Sequence, residues 1–501
     1  MKLFCLLSIL LATADCYKIL AIFTTSGRSH HIFFSSIVEE LAMRKHDVTV
    51  VNYHAVKNMS TLHRIALQST EEHGDTLNVT AYLNVLHLPG MLQIYGMLQE
   101  FNEMANMNCK QLMDNKEILR LIKTATRFDV VIVEQFVSDC GLAIAHKLNA
   151  PTVGMTAHVL FPWTYSRLGA PINPSFVPNH FFASSTRPSL LQKIKCTAVN
   201  TLANTYYRYV IQKNNQKIVN EIFPDIPDLE ILGRNMTMIM VNQYFPLTGS
   251  RLYGANVVEI GGMHINQDTR ILDKDLKEFL DTAGNNGVVY ISFGSIASNF
   301  PRSILYEIKK LTQESKLKFV FKAEISDWRA PKNVFSRKWL PQVPILCHPN
   351  VKAFISHSGM LSTSEAMNCG VPIVSIPLFG DQFANAQSAL ENGLGVTVDI
   401  LKLNADVLEN AVKRILQDSY QIRARELSRA WNDRPLSPMH TAVYWIEHVA
   451  RNKGNVNMRP PTVELPLYQY LMLDVIIVFT LFGTLVLYLI AKVFFRRKVV
   501  T

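Results

Sequence analysis

The stretch from Trp339 to Gln382 constrains the fold of this 501-residue chain most, because it alternates strand, tight turn and helix. A short apolar run from Val351 to Ile355 predicts a buried strand, residues 356–359 interrupt it, and residues 362–368 have helix-forming composition. In such a unit, free backbone N–H groups and the positive end of the helix dipole point into one crevice. The stretch therefore predicts a binding site for phosphate.

A second strand is predicted directly after this unit, from Pro372 to Ile376, and the loop that follows it carries Asp381 and Gln382. Carboxylate and amide side chains are suited to hydrogen-bonding the hydroxyl groups of a sugar. The carboxyl ends of parallel strands meet at the same edge of a sheet. Phosphate and sugar are therefore expected to lie side by side.

The N-terminal region shows the same alternation. Lys18 to Phe23 predicts the first strand, residues 24–30 a loop, and Asp47 to Asn52 the next strand. The helix between them is marked by apolar residues at three- and four-residue spacing: Phe34, Ile37, Val38 and Leu41. The first turn lacks the GxGxxG pattern of nicotinamide and flavin sites. An α/β protein with a doubly wound parallel sheet is predicted.

Two carboxylates follow the next predicted strand of this half. Residues 128–133 predict a buried strand that ends at Glu134, and Asp139 precedes a helix that begins at Cys140. A carboxylate at the carboxyl end of a strand faces the ligand crevice of a doubly wound sheet. Asp139 also fits the N-cap of the helix, a frequent position for Asp.

Composition narrows the class of protein. The length allows about two to three domains, and 48% hydrophobic residues is ordinary for globular domains rather than for a many-helix membrane protein. The formal net charge of +10 raises the question of nucleic-acid binding. Apart from Arg496, Arg497 and Lys498 the basic residues are scattered, so we expect a solvated surface and no nucleic-acid partner.

Seven cysteines are present, and two of them, Cys5 and Cys16, lie in or at the edge of the N-terminal apolar segment. The other five are widely spaced and include no CxxC pair: Cys109, Cys140, Cys196, Cys347 and Cys369. This spacing indicates no disulfide framework, and mostly buried free thiols are expected.

Both ends of the chain carry membrane-related signals. Residues 1–16 combine an early lysine, an apolar run too short to span a bilayer and small residues near the end, as in a secretory signal peptide. Residues 471–491 are long enough for one transmembrane helix, and the basic tail of residues 492–501 follows. By the positive-inside rule this tail is cytosolic and the preceding chain lumenal. Three N-glycosylation sequons then fall on the lumenal side: Asn58, Asn78 and Asn235.

The stretch that begins at Trp339 resembles the signature of the UDP-glycosyltransferases, the membrane-bound family that includes the animal UDP-glucuronosyltransferases. The matching residues fall at the family's spacing: Trp339-Leu340-Pro341-Gln342, His357, Gly359, Ser362, Glu365 and Gly380-Asp381-Gln382. The flanking sequence is most similar to insect members. Ser358 stands where a second glycine is usual in animals, and Val343-Pro344 stand where Asn or Ser followed by Asp is common.

The resemblance implies a GT-B arrangement, in which two Rossmann-like domains face each other across a cleft. It implies these boundaries: signal peptide 1–16, N-terminal acceptor-binding domain 17–244, linker and first helix of the second domain 245–283, C-terminal UDP-sugar-binding domain 284–450, juxtamembrane segment 451–470, transmembrane helix 471–491 and cytosolic tail 492–501. Residues 56–123, rich in Met and Asn, would be irregular insertions that contribute to the acceptor pocket.

In the family, a histidine at the start of the first helix is the catalytic base, and an acidic residue at a later strand end orients it. The resemblance assigns these roles to His30 and Glu134, with Asp139 as the alternative carboxylate. An ordinary histidine pKa of about 6.5 suits the removal of a hydroxyl proton. Without the family, His30 would be interpreted as a residue that caps the helix.

Donor roles are likewise implied by the resemblance. Trp339 would stack on uracil, with Gln342 hydrogen-bonding near it, and Glu365 would accept hydrogen bonds from the ribose hydroxyls. Asp381 and Gln382 would hold the transferred sugar.

The diphosphate would be bound by Ser295, His357 and the helix N-terminus from Gly359 to Ser362. Residues 273–275 spell Asp-Lys-Asp, which looks like the DxD metal motif of another glycosyltransferase class, but they open an amphipathic helix. No metal site is therefore predicted, and donor binding is expected to be metal-independent.

The implied function is that of an inverting UDP-glycosyltransferase, which moves glucose or glucuronate from a UDP-sugar to a hydroxyl or similar group of small lipophilic acceptors, as in detoxification. The implied setting is the endoplasmic reticulum membrane, for a single-pass glycoprotein that could form a homo-oligomer. The matched residues contact features that both donors share, so donor and acceptor stay open. A non-catalytic, membrane-anchored binder of small hydrophobic ligands with the same fold is the alternative.

Overall fold

The computed structural model describes residues 16–68, 77–88, 90–265, 272–294, 297–298, 302–323 and 331–498. Within these ranges the chain builds two parallel β-sheets with helices packed against them and a separate apolar helix near the C-terminus. The predicted α/β class is confirmed. Residues 1–15 of the predicted signal peptide lie outside the described residues, so the signal peptide stays a prediction.

The N-terminal domain is built on a seven-stranded parallel sheet in the order β3-β2-β1-β5-β6-β7-β8. Its strands, with a short extra strand β4, are β1 (Lys18–Ile22), β2 (Asp47–Asn52), β3 (Leu62–Ala66), β4 (Leu77–Asn78), β5 (Val130–Glu134), β6 (Thr152–Thr156), β7 (Met238–Val241) and β8 (Val257–Glu259). The strand order reverses between β1 and β5, and ligands of such sheets bind outside the carboxyl ends at this reversal.

The helices of this domain cover both faces of the sheet. They are α1 (Arg28–Met43), α2 (Val79–Leu86), α3 (Met91–Met113), α4 (Lys116–Lys123), α5 (Cys140–Lys147), α6 (Pro162–Tyr165), α7 (Leu190–Tyr206), α8 (Gln212–Ile222), α9 (Leu229–Arg234) and α10 (Phe245–Thr248). The predicted apolar stripe of α1 is buried against the sheet. The loop predicted over residues 24–30 is shorter than expected, because α1 already begins at Arg28.

The C-terminal domain holds a six-stranded parallel sheet in the order β12-β11-β9-β13-β14-β15. Its strands are β9 (Val288–Ser292), β10 (Ala297–Ser298), β11 (Lys318–Lys322), β12 (Val334–Arg337), β13 (Val351–Ser356), β14 (Ile373–Ser375) and β15 (Gly395–Thr397). The short strand β10 lies outside this sheet and pairs with β4 of the other domain. The strand order reverses between β9 and β13, which predicts the ligand crevice there.

The remaining helices are α11 (Lys274–Asp281), α12 (Arg302–Glu314), α13 (Gln342–Leu346), α14 (Met360–Cys369), α15 (Gln382–Glu391), α16 (Ala405–Ile415), α17 (Asp418–Asn432), α18 (Pro438–Arg451), α19 (Leu467–Tyr470) and α20 (Leu473–Lys498). Helix α18 returns to the N-terminal domain, where Val443 and Ile446 share a buried cluster with α1 and β1. The end of the segment 284–450 therefore packs with the first domain rather than with the second.

The sequence predicted an irregular segment at residues 56–123, but the described parts of this segment are largely regular. They contain the strands β3 and β4 and three helices, the longest of which is α3. One face of α3 is buried, with Ile94, Met97, Leu98 and Phe101 at three- and four-residue spacing. The many Met and Asn residues obscured this helical period, although both residue types are compatible with a helix.

Four of the five cysteines expected as free thiols form disulfides, which corrects the sequence prediction. Cys109 on α3 bonds to Cys140 at the start of α5, and Cys347 bonds to Cys369 at the end of α14. Cys196 is free and buried, as predicted. The pairing depends on how the helices pack, which the spacing of the cysteines did not reveal.

Helix α20 contains a candidate membrane span from Leu473 to Lys492, with a mean hydropathy of 2.5 and no buried part. This position agrees with the predicted span of residues 471–491. From Leu473 to Ile490 the large apolar side chains of α20 are exposed, as expected of a helix that lies in lipid.

Candidate active site

His30 and Glu134 meet at the reversal of the N-terminal sheet. His30 lies in the first turn of α1, and Glu134 ends β5. Nδ1 of His30 is 2.6 Å from Oε1 of Glu134, while the other carboxylate oxygen accepts hydrogen bonds from the backbone N–H groups of Thr24 (2.7 Å) and Thr25 (2.9 Å). With Nδ1–H donated to Glu134, Nε2 of the neutral ring carries the lone pair and is available as a base.

Asp139, the alternative carboxylate, lies elsewhere. Arg167 binds both of its oxygens, at 2.9 and 2.7 Å, and Tyr207 and Gln212 donate to it as well. All four side chains are buried. Asp139 stands at the N-cap of α5 but makes no capping hydrogen bond with its side chain. The structure therefore places Glu134 beside His30, whereas Asp139 lies in a buried ion pair with Arg167.

An aromatic wall surrounds the imidazole of His30, and sequence reasoning missed it. The ring of Phe136 is 5.0 Å from that of His30, and the ring of His158 is 6.0 Å away. His158 directs Nδ1 to the carbonyl of Val159 (2.6 Å), and its buried Nε2 has no hydrogen-bond partner among the described residues. Burial and the nearby His30 hold the pKa of His158 well below its usual value, so this ring is neutral. The wall is apolar apart from this one nitrogen.

His357 lies at the reversal of the C-terminal sheet, between two glycines. A Cβ added at Gly294 would come within 2.6 Å of the His357 ring, and one at Gly359 within 2.5 Å. Only glycine therefore leaves room for the imidazole at these positions. Burial and the nearby Lys322 lower the pKa of His357 to about 4. Its buried Nδ1 has no hydrogen-bond partner in the described part of the chain, as expected of a group that meets a ligand.

Gln342, Ser362 and Glu365 form one hydrogen-bonded group beside His357. The amide of Gln342 donates to Ser362 (2.9 Å) and to Glu365 (2.5 Å). The other oxygen of Glu365 is 3.0 Å from Nε2 of His264, which comes from the segment between the domains. The structure brings these predicted donor residues together and adds His264, which sequence reasoning missed.

Trp339 is half exposed and is flanked by two cations that the sequence did not reveal. Nζ of Lys322 is 4.0 Å from the centre of the indole, and the guanidinium of Arg28, from the other domain, is 5.4 Å from it. Nζ of Lys322 also donates to the carbonyl of Gly294 (3.3 Å). Burial lowers the pKa of Lys322 to about 8. Positive charge from both domains thus converges beside the predicted uracil platform.

Asp381 and Gln382 stand at the start of α15, close in the chain to Phe379, which packs against the buried cluster of the N-terminal domain that contains Phe161. Burial raises the pKa of Asp381 to about 6, against the opposite effects of Asn385, which donates to it at 3.0 Å, and of His30. The oxygen of Gln382 accepts from the backbone N–H groups of Leu378 and Phe379 and so fastens the loop before α15.

Ser295 lies outside the described residues, so its place at the diphosphate stays a prediction. No group of three or more His, Cys, Asp or Glu side chains that could hold a metal ion occurs in the described ranges. Asp273 caps α11 by accepting from the N–H of Leu276 (3.1 Å), which agrees with its interpretation as a helix start.

Two Rossmann-like domains that face each other at the carboxyl ends of their strands form the GT-B fold. The structure is similar to the crystal structure of the glycotransferase of kitacinnamycin, with a TM-score of 0.54 and 19% identity over 86% of this chain and 99% of that chain. At this identity the likeness concerns the fold.

The sequence specifies the family. Residues 18–500 match the family described as UDP-glucoronosyl and UDP-glucosyl transferase, and the chain belongs to it. It is 32% identical to UDP-glycosyltransferase UGT5 of Dactylopius coccus over 94% of this chain and 90% of that protein. It is 29% identical to UDP-glucuronosyltransferase 1A6 of Mus musculus over 89% of this chain and 86% of that protein. The predicted family, fold and enzyme class are confirmed, and no observation favours a non-catalytic binder.

Proposed function

We propose that this UDP-glycosyltransferase transfers glucose or glucuronate, with inversion, from a UDP-sugar to a hydroxyl group of small lipophilic acceptors. The observation that carries the proposal is the His30–Glu134 pair, which lies on the side of the N-terminal domain that meets the donor domain, since the guanidinium of Arg28 in the same helical turn is 5.4 Å from the indole of Trp339. The aromatic wall around His30 supports an apolar acceptor, because it offers flat apolar surface and few polar partners.

In the proposed reaction Nε2 of His30 takes the proton of the acceptor hydroxyl, and Glu134 stabilises the imidazolium that forms. The acceptor oxygen attacks the anomeric carbon from the face opposite UDP. A new C–O bond forms while the bond to the β-phosphate oxygen breaks, and its electron pair leaves with UDP. Attack from the opposite face inverts the configuration.

Negative charge that grows on the leaving diphosphate meets His357, the N-terminus of α14 at Gly359 and the ammonium of Lys322. His357 is neutral, so it would act as a hydrogen-bond donor, whereas Lys322 supplies positive charge. Trp339 would stack on uracil, the Gln342–Ser362–Glu365 group would bind near the ribose, and Asp381 with Gln382 would hold the hexose. None of these roles requires a metal ion.

Glycosyl transfer is tested directly in microsomes that contain the protein. UDP-glucose or UDP-glucuronate is supplied with a panel of phenols and alcohols, and conjugates and released UDP are quantified by mass spectrometry. One donor is expected to support product formation with UDP released in equal amount. Absence of product with every combination would contradict the proposal, and competition between the donors would identify the preferred one.

The setting is proposed to be the endoplasmic reticulum membrane, with one span, a lumenal catalytic part and a cytosolic basic tail. Support comes from α20 and from the exposed sequon residues Asn58 and Asn235. Removal of glycans by an endoglycosidase should increase gel mobility. Protease added to intact microsomes should remove only the short tail. Loss of a larger part would show that the catalytic domains are cytosolic. A homo-oligomer stays a prediction.

A further inference from the structure

A pocket lies in the interdomain cleft beside the catalytic pair, and the reaction described above does not use it. It is a shallow pocket that opens to solvent, and both domains line it. The N-terminal domain contributes residues that follow β6 and β7 and a loop that contains His180. The C-terminal domain contributes Ala384, Asn385 and Ser388 of α15, the helix that starts beside Asp381.

The wall of this pocket carries a guanidinium without a carboxylate partner. No Asp or Glu oxygen lies within 4.0 Å of Arg251 in the described part of the chain, and its Nη1 donates to the carbonyl of Ser250 (3.2 Å). Arg251 also acts on the hydroxyl of the buried Tyr165, which helps to fix its position. The acid on this side, Glu259, is already bound by Gln243 (2.9 Å), and burial raises the pKa of Glu259. A positive charge at the pocket therefore lacks a matching anion.

His180 supplies a second unused polar group in the same pocket. The residue is 3% exposed, and its Nε2 has no hydrogen-bond partner among the residues that the structure describes. Burial and the charge of Arg251 lower the pKa of His180 to about 3, so the ring is neutral and can donate one hydrogen bond. A buried polar atom without a partner is costly unless a ligand or water meets it.

Two independent measures place this pocket at the same distance from the reacting centre. On the N-terminal side, Glu134 ends β5 and Gln243 follows β7, and two strand spacings amount to about 10 Å. On the C-terminal side, α15 rises about 10 Å from Asp381 to Ser388. The ring of Phe161 lies between them, 4.4 Å from His158 and 5.4 Å from His180. The buried ring of Phe161 thus links the aromatic groups at His30 to the pocket.

We propose that Arg251 and His180 bind a carboxylate at the far end of an elongated aromatic acceptor whose hydroxyl reacts at His30. The inference rests on the proposed function and narrows its acceptor class. The hydroxyl lies at Nε2 of His30, the aromatic body lies along Phe136 and Phe161, and the carboxylate meets the unpaired guanidinium. A buried site that is built to pair a charged group discriminates against a ligand that lacks this group.

The test compares three acceptors under saturating UDP-sugar: 4′-hydroxybiphenyl-4-carboxylate, 4-phenylphenol and 4-hydroxybenzoate. The first carries hydroxyl and carboxylate at opposite ends of two rings, the second lacks the carboxylate, and the third is too short to reach both groups. For wild-type protein, kcat/KM for the biphenyl carboxylate should exceed that for 4-phenylphenol by about tenfold or more, as expected for a charged hydrogen bond.

Arg251→Gln should reduce this ratio to near one, mainly through KM, and Arg251→Lys should restore part of it. Arg120→Gln, which removes an exposed guanidinium of α4 in the same domain, serves as the matched control and should keep the wild-type ratio. The ratio of kcat/KM for 4-hydroxybenzoate to kcat/KM for 4-phenylphenol should be the same in the wild-type protein and in Arg251→Gln.

Three results would overturn the inference: no preference for the biphenyl carboxylate, an unchanged ratio in Arg251→Gln, or a loss confined to UDP-glucuronate with every acceptor. The last result would assign Arg251 to the donor. If the wild-type protein converts 4-phenylphenol, the proposed function holds and these results contradict only the carboxylate site. If the proposed function fails, no acceptor is converted.

Discussion

Nδ1 of His30 lies 2.6 Å from Oε1 of Glu134, and the same carboxylate is held by the backbone of Thr24 and Thr25. The turn that follows β1 therefore fixes a side chain that belongs to β5, and that side chain fixes the imidazole. Because His30 lies in the first turn of a helix packed on the sheet, the base has little freedom to leave the cleft.

His30→Ala should lower kcat by about 10²- to 10⁴-fold, the usual contribution of a general base, while UDP binding stays close to wild type. Glu134→Gln should cause a smaller loss, since it disturbs the tautomer and charge of His30 but keeps the ring. Product formation and equilibrium binding of UDP check both statements. The loss should be smaller for a strongly acidic phenol than for an aliphatic alcohol, and near-normal activity with both would contradict the base role.

Asp139→Ala should lower the free energy of unfolding without causing a specific catalytic defect. The substitution removes the two hydrogen bonds between Asp139 and the buried guanidinium of Arg167 and leaves Glu230 as its only carboxylate partner among the described residues; breaking a buried ion pair typically costs about 3–5 kcal/mol. Glu409→Ala is the control, because the ion pair of Glu409 with Lys413 on α16 is exposed and worth about 0–1 kcal/mol. Denaturant unfolding measures both. A folded Asp139→Ala protein as inactive as His30→Ala would instead give Asp139 a catalytic role.

Donor binding should weaken in alkaline solution through Lys322. Its pKa is lowered to about 8, so the ammonium is charged near pH 7 and loses its proton as pH rises through 8. A neutral amine attracts diphosphate less, and the Kd of UDP-glucose should therefore rise between about pH 7 and pH 9. Lys322→Gln should bind about tenfold more weakly near pH 7 and lose this pH dependence.

The control for Lys322 is Lys318→Gln at the opposite end of β11, where Nζ contacts the carbonyl of Phe279 (3.1 Å). This variant should keep both the affinity and the pH dependence of the wild type. Titration calorimetry measures them, and equal pH dependence in wild type and Lys322→Gln would show that another group is responsible.

Ser358→Gly should stabilise the protein by up to about 1 kcal/mol. Ser358 has a φ of 60°, a left-handed conformation that costs a non-glycine residue about 1–2 kcal/mol, and its buried hydroxyl has no hydrogen-bond partner among the described residues. The greater entropy of glycine in the unfolded chain offsets part of the gain. Thermal unfolding in detergent should show a Tm higher by a few degrees, and a lower Tm would mean that Ser358 makes a contact worth more than this strain.

The strands β1, β2, β5, β13 and β14 could be predicted from sequence to within about two residues, because each is a contiguous apolar run bounded by turn residues. The helix of residues 91–113 could not, since Met and Asn at many positions blurred its apolar face. The partners of Cys109 and Cys347 were also missed, because each disulfide joins segments that meet only after packing.

The α/β class, the membrane-span candidate and the family follow from the amino-acid sequence alone. Each depends on patterns within continuous stretches of the chain: the alternation of strands and helices, one long apolar run and the signature that begins at Trp339. The choice of the carboxylate that contacts His30 required the folded chain, because Glu134 and Asp139 are close in the chain but point to different partners. Folding also brought Arg28 and Lys322 to Trp339, and Arg251 and His180 to one pocket. These groups come from distant segments, and the distances between them follow from sheet order and domain contact, which local sequence patterns do not encode.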